Sequence, residues 1–297
     1  MEPTYPTYYK TAKVAGVDIF YREAGSPKNP VILLLHGFPT SSHMYRDLIP
    51  LLADRYHLIA PDYPGFGYSA TPAVGDFRYT FDNLADVMTA FIDKLGLNAY
   101  ALYMQDFGGP VGFRIAVRRP EQVSALLIQN ANAYDEGMSV TMRTYVLPLW
   151  PVVTPATEAK ARPLFELPNT KRQILEGVPD PALVSPDTWQ HAQWGLDRPG
   201  MKDMALALHA DYGSNLEHYA EWQAYFRKYQ PPTLVTWGRG DFIFTVEGAT
   251  AYRRDIPKAE IHILDTGHFA LETSAAEIAT AIGRFLPHRV QDNRRSA

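Results

Sequence analysis

Residues 100–118 read YALYMQDFGGPVGFRIAVR, and this stretch decides the fold. Residues 100–104 are apolar and predict a strand, whereas residues 107–118 predict a helix that opens at Gly-Gly-Pro. Asp106 lies at the turn between them, and Gly108 follows where a sharp turn needs a small side chain. An ordinary helix N-cap is the plain alternative for such an aspartate. The stretch otherwise indicates a carboxylate presented at a strand–helix junction.

Strands and helices alternate on both sides of this junction. Helices are predicted at residues 81–95, 246–255 and 272–285. Further strands are predicted at residues 17–22, 31–35, 57–60, 125–129, 233–237 and 260–264. This order is typical of an α/β protein with a mostly parallel, doubly wound sheet.

Residues 133–230 interrupt the alternation. This segment contains nine prolines and four of the five tryptophans, and the sheet pattern resumes only at Pro231. We interpret it as an insertion over the C-terminal edge of the sheet, which is where ligands bind in open α/β folds.

Composition excludes several classes of protein. With 46% hydrophobic and 20% charged residues, the 297-residue chain can bury a sizeable core. Its net charge of −4 gives no general attraction to nucleic acid or to a membrane surface. Cysteine is absent, which excludes disulfides and thiolate chemistry, and no metal or cofactor is predicted. No signal-like segment begins the chain, so a cytoplasmic protein is expected, with Arg294 and Arg295 in a solvated tail.

Two further motifs stand at strand ends. The sequence HGFP at residues 36–39 follows the strand at 31–35, and Asp241 and His268 follow the last two strands. We predict that Asp106 is a nucleophile, His268 a base, and Asp241 the acid that orients His268. Asp135 and Glu136, which follow the predicted strand at 125–129, remain the alternatives for this acid.

The residue type at position 106 suits displacement at a saturated carbon. A carboxylate is ionised at neutral pH and can form an alkyl ester with its substrate. His268 then deprotonates a water that attacks the ester carbonyl, and two backbone N–H groups, predicted at Phe38 and Phe107, stabilise the oxyanion. A serine esterase is disfavoured because Ser69 lies in a loop rather than at a strand–helix junction.

Other polar residues near these motifs are interpreted as structural. His36 and Asp62 are expected to shape their loops, and His262 lies inside a predicted strand. The remaining histidines lack a partner pattern and are expected to be solvated or to pack: His43, His57, His191, His209, His218 and His288.

With these motifs together, the chain resembles the Asp-nucleophile branch of the α/β-hydrolase superfamily, which includes epoxide hydrolases and haloalkane dehalogenases. The resemblance covers residues 17–287, although Met104 replaces the usual glycine two positions before the nucleophile. It implies eight core strands with a helical cap after strand six. The expected domains are therefore a core of residues 1–132 and 231–297 and a cap of residues 133–230. It also implies a cis bond before Pro39, which would aim the Phe38 N–H at the oxyanion.

The sequence does not match one enzyme class of this branch in every feature. Haloalkane dehalogenases usually have a tryptophan after the nucleophile, where this chain has Phe107, and the HGFP form is typical of epoxide hydrolases. Epoxide hydrolases also use two cap tyrosines to protonate the epoxide oxygen, for which Tyr212 and Tyr145 are the candidates. Aromatic packing is the alternative for both tyrosines. Trp150 is a candidate halide donor through its indole N–H.

The resemblance therefore favours an epoxide hydrolase that gives vicinal diols, with a haloalkane or other C-halide dehalogenase as runner-up. A non-catalytic ligand-binding homologue is the alternative of another class. The expected ligands are a small apolar organic substrate and water, while the substrate's identity and the oligomeric state (monomer or homodimer) stay open. Candidate pocket walls are Phe38, Phe107, Trp150, Trp189 and Trp194.

Overall fold

The computed structural model describes residues 5–286, so the expected Arg294–Arg295 tail and His288 lie outside the described residues. Eight strands form one sheet in the order β1-β2-β4-β3-β5-β6-β7-β8. Their bounds are Tyr8–Val14 (β1), Val17–Ala24 (β2), Val31–Leu35 (β3), His57–Pro61 (β4), Tyr100–Gln105 (β5), Val123–Gln129 (β6), Thr233–Gly238 (β7) and Glu260–Leu264 (β8). β2 runs antiparallel to β1 and to β4, and all the other pairs are parallel. The predicted mostly parallel sheet of eight strands is confirmed.

Helices cover both faces of this sheet. Outside the segment between β6 and β7, they are Leu48–Leu52 (α1), Phe81–Lys94 (α2), Gly108–Arg118 (α3), Val246–Asp255 (α8) and Leu271–Phe285 (α9). Successive β3 residues alternate between the two faces, because side chains of a strand point to opposite sides. Leu33 and Leu35 join the apolar cluster that contains α2, α3 and α8, whereas Ile32 and Leu34 join the cluster that contains α1 and α9. Both faces are therefore buried, as continuous apolar strands require.

The segment between β6 and β7 is helical. It contains Pro155–Ala161 (α4), Leu167–Leu175 (α5), Pro186–Asp197 (α6) and the 29-residue Met201–Tyr229 (α7). α7 packs against α2 and α3 of the sheet layer. The insertion after the sixth strand is thus present, and the exact domain boundaries at 132/133 and 230/231 stay a prediction.

Two elements were not predicted. β1 is a largely exposed edge strand without an apolar run, and it joins β2 through a tight turn in which Ala15 and Gly16 both have positive φ. α1 has only five residues, too few for a helical period to show. In the part of the chain that the structure describes, no helix has the length and apolar character needed to cross a membrane.

Candidate active site

Asp106 occupies the turn between β5 and α3. Its backbone φ is +49°, a value that residues other than glycine rarely adopt. The turn is therefore strained and is held in this conformation by the surrounding structure. A Cβ on Gly108 would lie 2.1 Å from the carbonyl oxygen of Leu35, so only glycine permits this close approach to β3. The helix N-cap is Phe107, without a side-chain capping bond. Asp106 is therefore not an ordinary N-cap.

The carboxylate of Asp106 bonds to the HGFP loop. The Phe38 N–H donates to Asp106 Oδ1 at 2.7 Å, and the Phe107 N–H also donates to this carboxylate. The bond between Phe38 and Pro39 is cis, as the resemblance implies. Both predicted oxyanion donors thus converge on one carboxyl group. Oδ1 accepts from the Phe38 N–H, and Oδ2 lies 3.6 Å from Nε2 of His268.

His268 is fully buried and is held by Asp241. Its Nδ1 lies 2.7 Å from Asp241 Oδ2, which also accepts a hydrogen bond from the Asn130 side chain at 2.8 Å. Asp241 Oδ1 accepts from the N–H groups of Ile243 and Phe244. Since an ionised carboxylate only accepts, Nδ1 carries the imidazole proton and Nε2 presents a lone pair.

The alternative acids lie elsewhere. Asp135 pairs with Arg143 at 2.9 Å and Glu136 pairs with Arg254 at 2.6 Å, both in exposed positions. Of the acids considered from sequence, the structure therefore brings Asp241 to the histidine and not Asp135 or Glu136.

Burial and charge set the protonation of this group. Burial raises the pKa of Asp106 above its ordinary value, while the charge of His268 and the two backbone N–H groups act in the opposite direction. Burial alone would lower the pKa of His268, but the charge and hydrogen bond of Asp241, together with the charge of Asp106, raise it above 6.5. The two carboxylates therefore favour the imidazolium form when both are ionised.

A cavity of about 290 Å³ opens onto Asp106. Phe38 and Phe107 line it, as predicted, and so do both candidate tyrosines, Tyr145 and Tyr212. Burial raises the pKa of Tyr212 well above 10, and its side chain hydrogen-bonds to Tyr219. The other lining residues are Thr141, Met142, Val146, Lys160, Pro163, Leu164, Asn169, Arg172, Gln173, His209, Phe242 and Ile243.

Three predicted pocket walls do not line this cavity. The indole N–H of Trp150 donates to Glu217 at 3.2 Å, which is incompatible with a simultaneous role as a halide donor. Trp189 lies under the Lys171 ammonium and Trp194 under the Arg198 guanidinium. The prediction of these tryptophans as walls was wrong, because their presence in the segment does not show which side of α6, or of the extended backbone at Trp150, turns inward.

Two residues of the site were missed. His209 lines the cavity; its Nδ1 bonds to the Ala205 carbonyl at 2.8 Å, and burial lowers its pKa to about 4. Its position three residues before Tyr212 places both on one face of α7, a signal that was available. Gln105, just before the nucleophile, contacts His268, and no motif pointed to it.

The residues interpreted as structural do shape loops. His36 Nε2 accepts from the Tyr63 N–H at 3.2 Å, and burial lowers the His36 pKa to about 4, so it stays neutral. Asp62 accepts from the N–H groups of Ser42 and Tyr68. The Ser69 hydroxyl donates to the Asp62 carbonyl, away from the cavity. His262 is half exposed and pairs with Glu260.

Comparison with known proteins agrees with this fold. A hydrolase of Saccharomyces cerevisiae named as uncharacterized is 41% identical over 278 residues, which cover 93% of this chain and 95% of that one. Haloalkane dehalogenase DbeA from Bradyrhizobium elkani has a TM-score of 0.78 at 23% identity and covers 97% of this chain and all of its own. Epoxide hydrolase CorEH has a TM-score of 0.77 at 21% identity, covering 96% of this chain and 100% of that one. The sequence pattern of the α/β hydrolase fold family matches residues 30–275, and the chain therefore belongs to that family and is a hydrolase.

Proposed function

We propose that the protein hydrolyses epoxides to vicinal diols through an alkyl ester on Asp106. The observation that carries this proposal is that Tyr145 and Tyr212 both line the cavity onto which Asp106 opens. Two phenols in the same cavity as a carboxylate suit an epoxide, because ring opening places negative charge on an oxygen that must be protonated. The shared fold does not choose between epoxide and halide chemistry, since both kinds of enzyme have it.

In the first step, Asp106 Oδ2 attacks one epoxide carbon. Oδ1 accepts from the Phe38 N–H, so we assign the nucleophilic attack to Oδ2. The carbon–oxygen bond of the ring breaks, and its electron pair goes to the ring oxygen. One tyrosine gives its proton to that oxygen while the other donates a hydrogen bond. The result is a hydroxyalkyl ester of Asp106 and a tyrosinate.

In the second step, water hydrolyses this ester. His268 Nε2 takes a proton from the water as its oxygen bonds to the Asp106 carbonyl carbon, and the oxyanion forms on Oδ1 between Phe38 and Phe107. Collapse breaks the bond to the alkyl oxygen, which takes the proton from His268. The second proton of the water returns to the tyrosinate. The diol leaves and the resting carboxylate is restored.

Halide release fits the site less well. A departing halide needs N–H or similar donors around it, and neither position considered from the sequence supplies one: Phe107 has no N–H on its ring, and the Trp150 indole bonds to Glu217. A pure ligand binder would have no need of the ordered Asp106, Asp241 and His268 group.

Product analysis tests the proposal. We expect styrene oxide to give phenylethanediol and 1-bromobutane to release little or no bromide. Bromide release without diol would replace the proposal with dehalogenation. If wild-type protein forms neither product, the covalent hydrolase is contradicted for both probes.

Tyrosine variants separate proton donation from packing. Tyr212→Phe should lower diol formation from styrene oxide by roughly 10²-fold, in the range of general acid catalysis, and Tyr145→Phe should also lower it. Trp150→Phe is the control and should stay within about twofold of wild type, since its indole bonds to Glu217. Steady-state diol formation measures all three. Full activity in both tyrosine variants would remove the proton-donor mechanism.

The ester intermediate makes a pH prediction. Esterification removes the charge of Asp106, one of the groups that raise the pKa of His268, so this pKa should fall in the ester. His268 must be neutral to act as a base. Where ester hydrolysis is the slow step, kcat should therefore fall as the pH is lowered through the His268 pKa of the ester. We expect that pH to be lower than the pH at which His268 titrates in the free protein. Histidine NMR titration and a kcat profile compare the two; a kcat limb above the free-protein titration would contradict this order.

A further inference from the structure

Gln105 has an unusual position beside the candidate base. It is the last residue of β5, it is fully buried, and its side-chain Nε2 lies 2.9 Å from Nε2 of His268. When His268 is neutral, as a base must be, Nδ1 holds its one ring proton and the Gln105 amide donates to the Nε2 lone pair that must later receive a proton from water. The other end of the amide, Oε1, is buried without a hydrogen-bond partner among the described residues.

The residue paired with Gln105 on the neighbouring strand does not share this lack of a hydrogen-bond partner. Gln129 lies opposite Gln105 on β6 and is equally buried. Its Oε1 accepts from the Tyr103 hydroxyl at 2.7 Å, and its Nε2 donates to the His268 carbonyl. Two glutamines thus contact the same histidine, and one has both ends satisfied. Buried acceptors are normally paired, so the free oxygen of Gln105 calls for an occupant.

The free oxygen lies beside the nucleophile, and both lie next to Gly37. A Cβ on Gly37 would lie 2.2 Å from Gln105 Oε1 and 2.4 Å from Asp106 Cβ. Gln105 Oε1 and Asp106 therefore both pack closely against Gly37, where a larger residue would not fit. His268 Nε2 borders the same region, at 3.6 Å from Asp106 Oδ2.

We propose that Gln105 is a positioning residue that holds the hydrolytic water against His268 during hydrolysis of the Asp106 ester. This inference rests on the covalent mechanism proposed above. The water displaces the amide N–H from His268 Nε2, donates one hydrogen to that nitrogen, and donates the other to Gln105 Oε1. Its oxygen then bonds to the carboxyl carbon of Asp106 while the first proton passes to His268 and the carbonyl electron pair moves to Oδ1. The water hydrogen that is donated to Gln105 Oε1 stays on the new hydroxyl group of the Asp106 carbon.

This role affects one half-reaction only. Alkylation of Asp106 uses no water, so Gln105 should matter little for ester formation. Hydrolysis should slow when the amide is lost, because the water is then held at one point rather than two. A merely structural role would slow both steps or lower stability without separating them.

Single-turnover kinetics of Gln105→Met tests this. Methionine keeps the length of the side chain and removes the amide. With whichever of styrene oxide and 1-bromobutane the wild type turns over, we expect alkylation within about threefold of wild type and ester hydrolysis slower by roughly 10- to 10²-fold, the size of one lost buried hydrogen bond. Quenched samples should show the adduct on the Asp106 peptide by mass spectrometry. Gln129→Met is the matched control, with a lower melting temperature and no selective loss of hydrolysis.

The outcomes separate the inference from the mechanism on which it rests. An ester that forms in Gln105→Met and hydrolyses at the wild-type rate overturns the role of Gln105 alone. Equal slowing of both steps also overturns it, in favour of a packing role. If neither wild type nor a His268 variant forms an ester with either probe, the covalent mechanism itself fails. Should Gln105→Met not fold, Gln105→Asn, which withdraws the same amide by one methylene, must show the selective loss.

Discussion

His268→Ala should accept substrate on Asp106 and fail to release it. The nucleophile needs no base, since a carboxylate is already ionised at neutral pH, whereas ester hydrolysis requires a group that takes a proton from water. We expect turnover to fall on the order of 10⁴-fold or more, by analogy with the histidine of serine triads. The intact mass should rise by the full mass of an epoxide, or by the alkyl part of a halide, and the adduct should map to the Asp106 peptide.

A half-exposed histidine on β8, the strand that precedes His268, provides the control. His262→Ala removes an imidazole from β8 that pairs with Glu260 at the surface, and it should behave as wild type. Unmodified His268→Ala protein, after exposure to a substrate that wild type turns over, would rule out the ester. An adduct on another residue would rule out Asp106 as the nucleophile.

Asp241→Asn should lose most hydrolysis, on the order of 10⁴-fold. The carboxylate keeps the proton on Nδ1 of His268 and stabilises the imidazolium, and an asparagine amide does neither. The bond from Asn130 to Asp241 Oδ2 adds to the effect, because two amide groups would then face each other. Steady-state diol or bromide formation measures the loss, and a melting curve shows whether the fold is retained.

Asp135→Asn is the matched acid variant. Its carboxylate pairs with Arg143 at the surface, so it should lose little activity. Nearly full activity in Asp241→Asn, with an inactive Asp135→Asn, would move the acid to the earlier strand and contradict the observed contact with His268.

The core of the site was predictable because each strand, and the polar residue that follows it, can be recognised from the nearby sequence. Asp106, Asp241 and His268 follow short apolar strands, and parallel strands bring their carboxyl ends to one edge of a sheet. The cis bond before Pro39 came from the resemblance rather than from any pattern in the residues. The positions of Asp106, Asp241 and His268 follow from the strand order, and the structure places these three residues together.

The segment over the sheet was less predictable, since several of its helical turns are short and carry little periodicity. Tyr145 lies in a π-helical turn over Met142–Val146, and nothing in its sequence showed that it would line the cavity. Trp150 was expected inside and instead bonds to Glu217, while His209 was taken for a packing residue and lines the cavity. Which face turns inward is decided by long-range packing against the core, which a local pattern does not contain.

The position of the helical segment within the chain has a consequence for engineering. Asp106 precedes this segment and Asp241 and His268 follow it, while Tyr145, His209 and Tyr212 all lie within it. The reacting carboxylate and base are thus encoded apart from most of the residues that meet the rest of a substrate. Exchange or randomisation of the one continuous stretch between β6 and β7 would replace much of the cavity lining and leave Asp106, Asp241 and His268 in place.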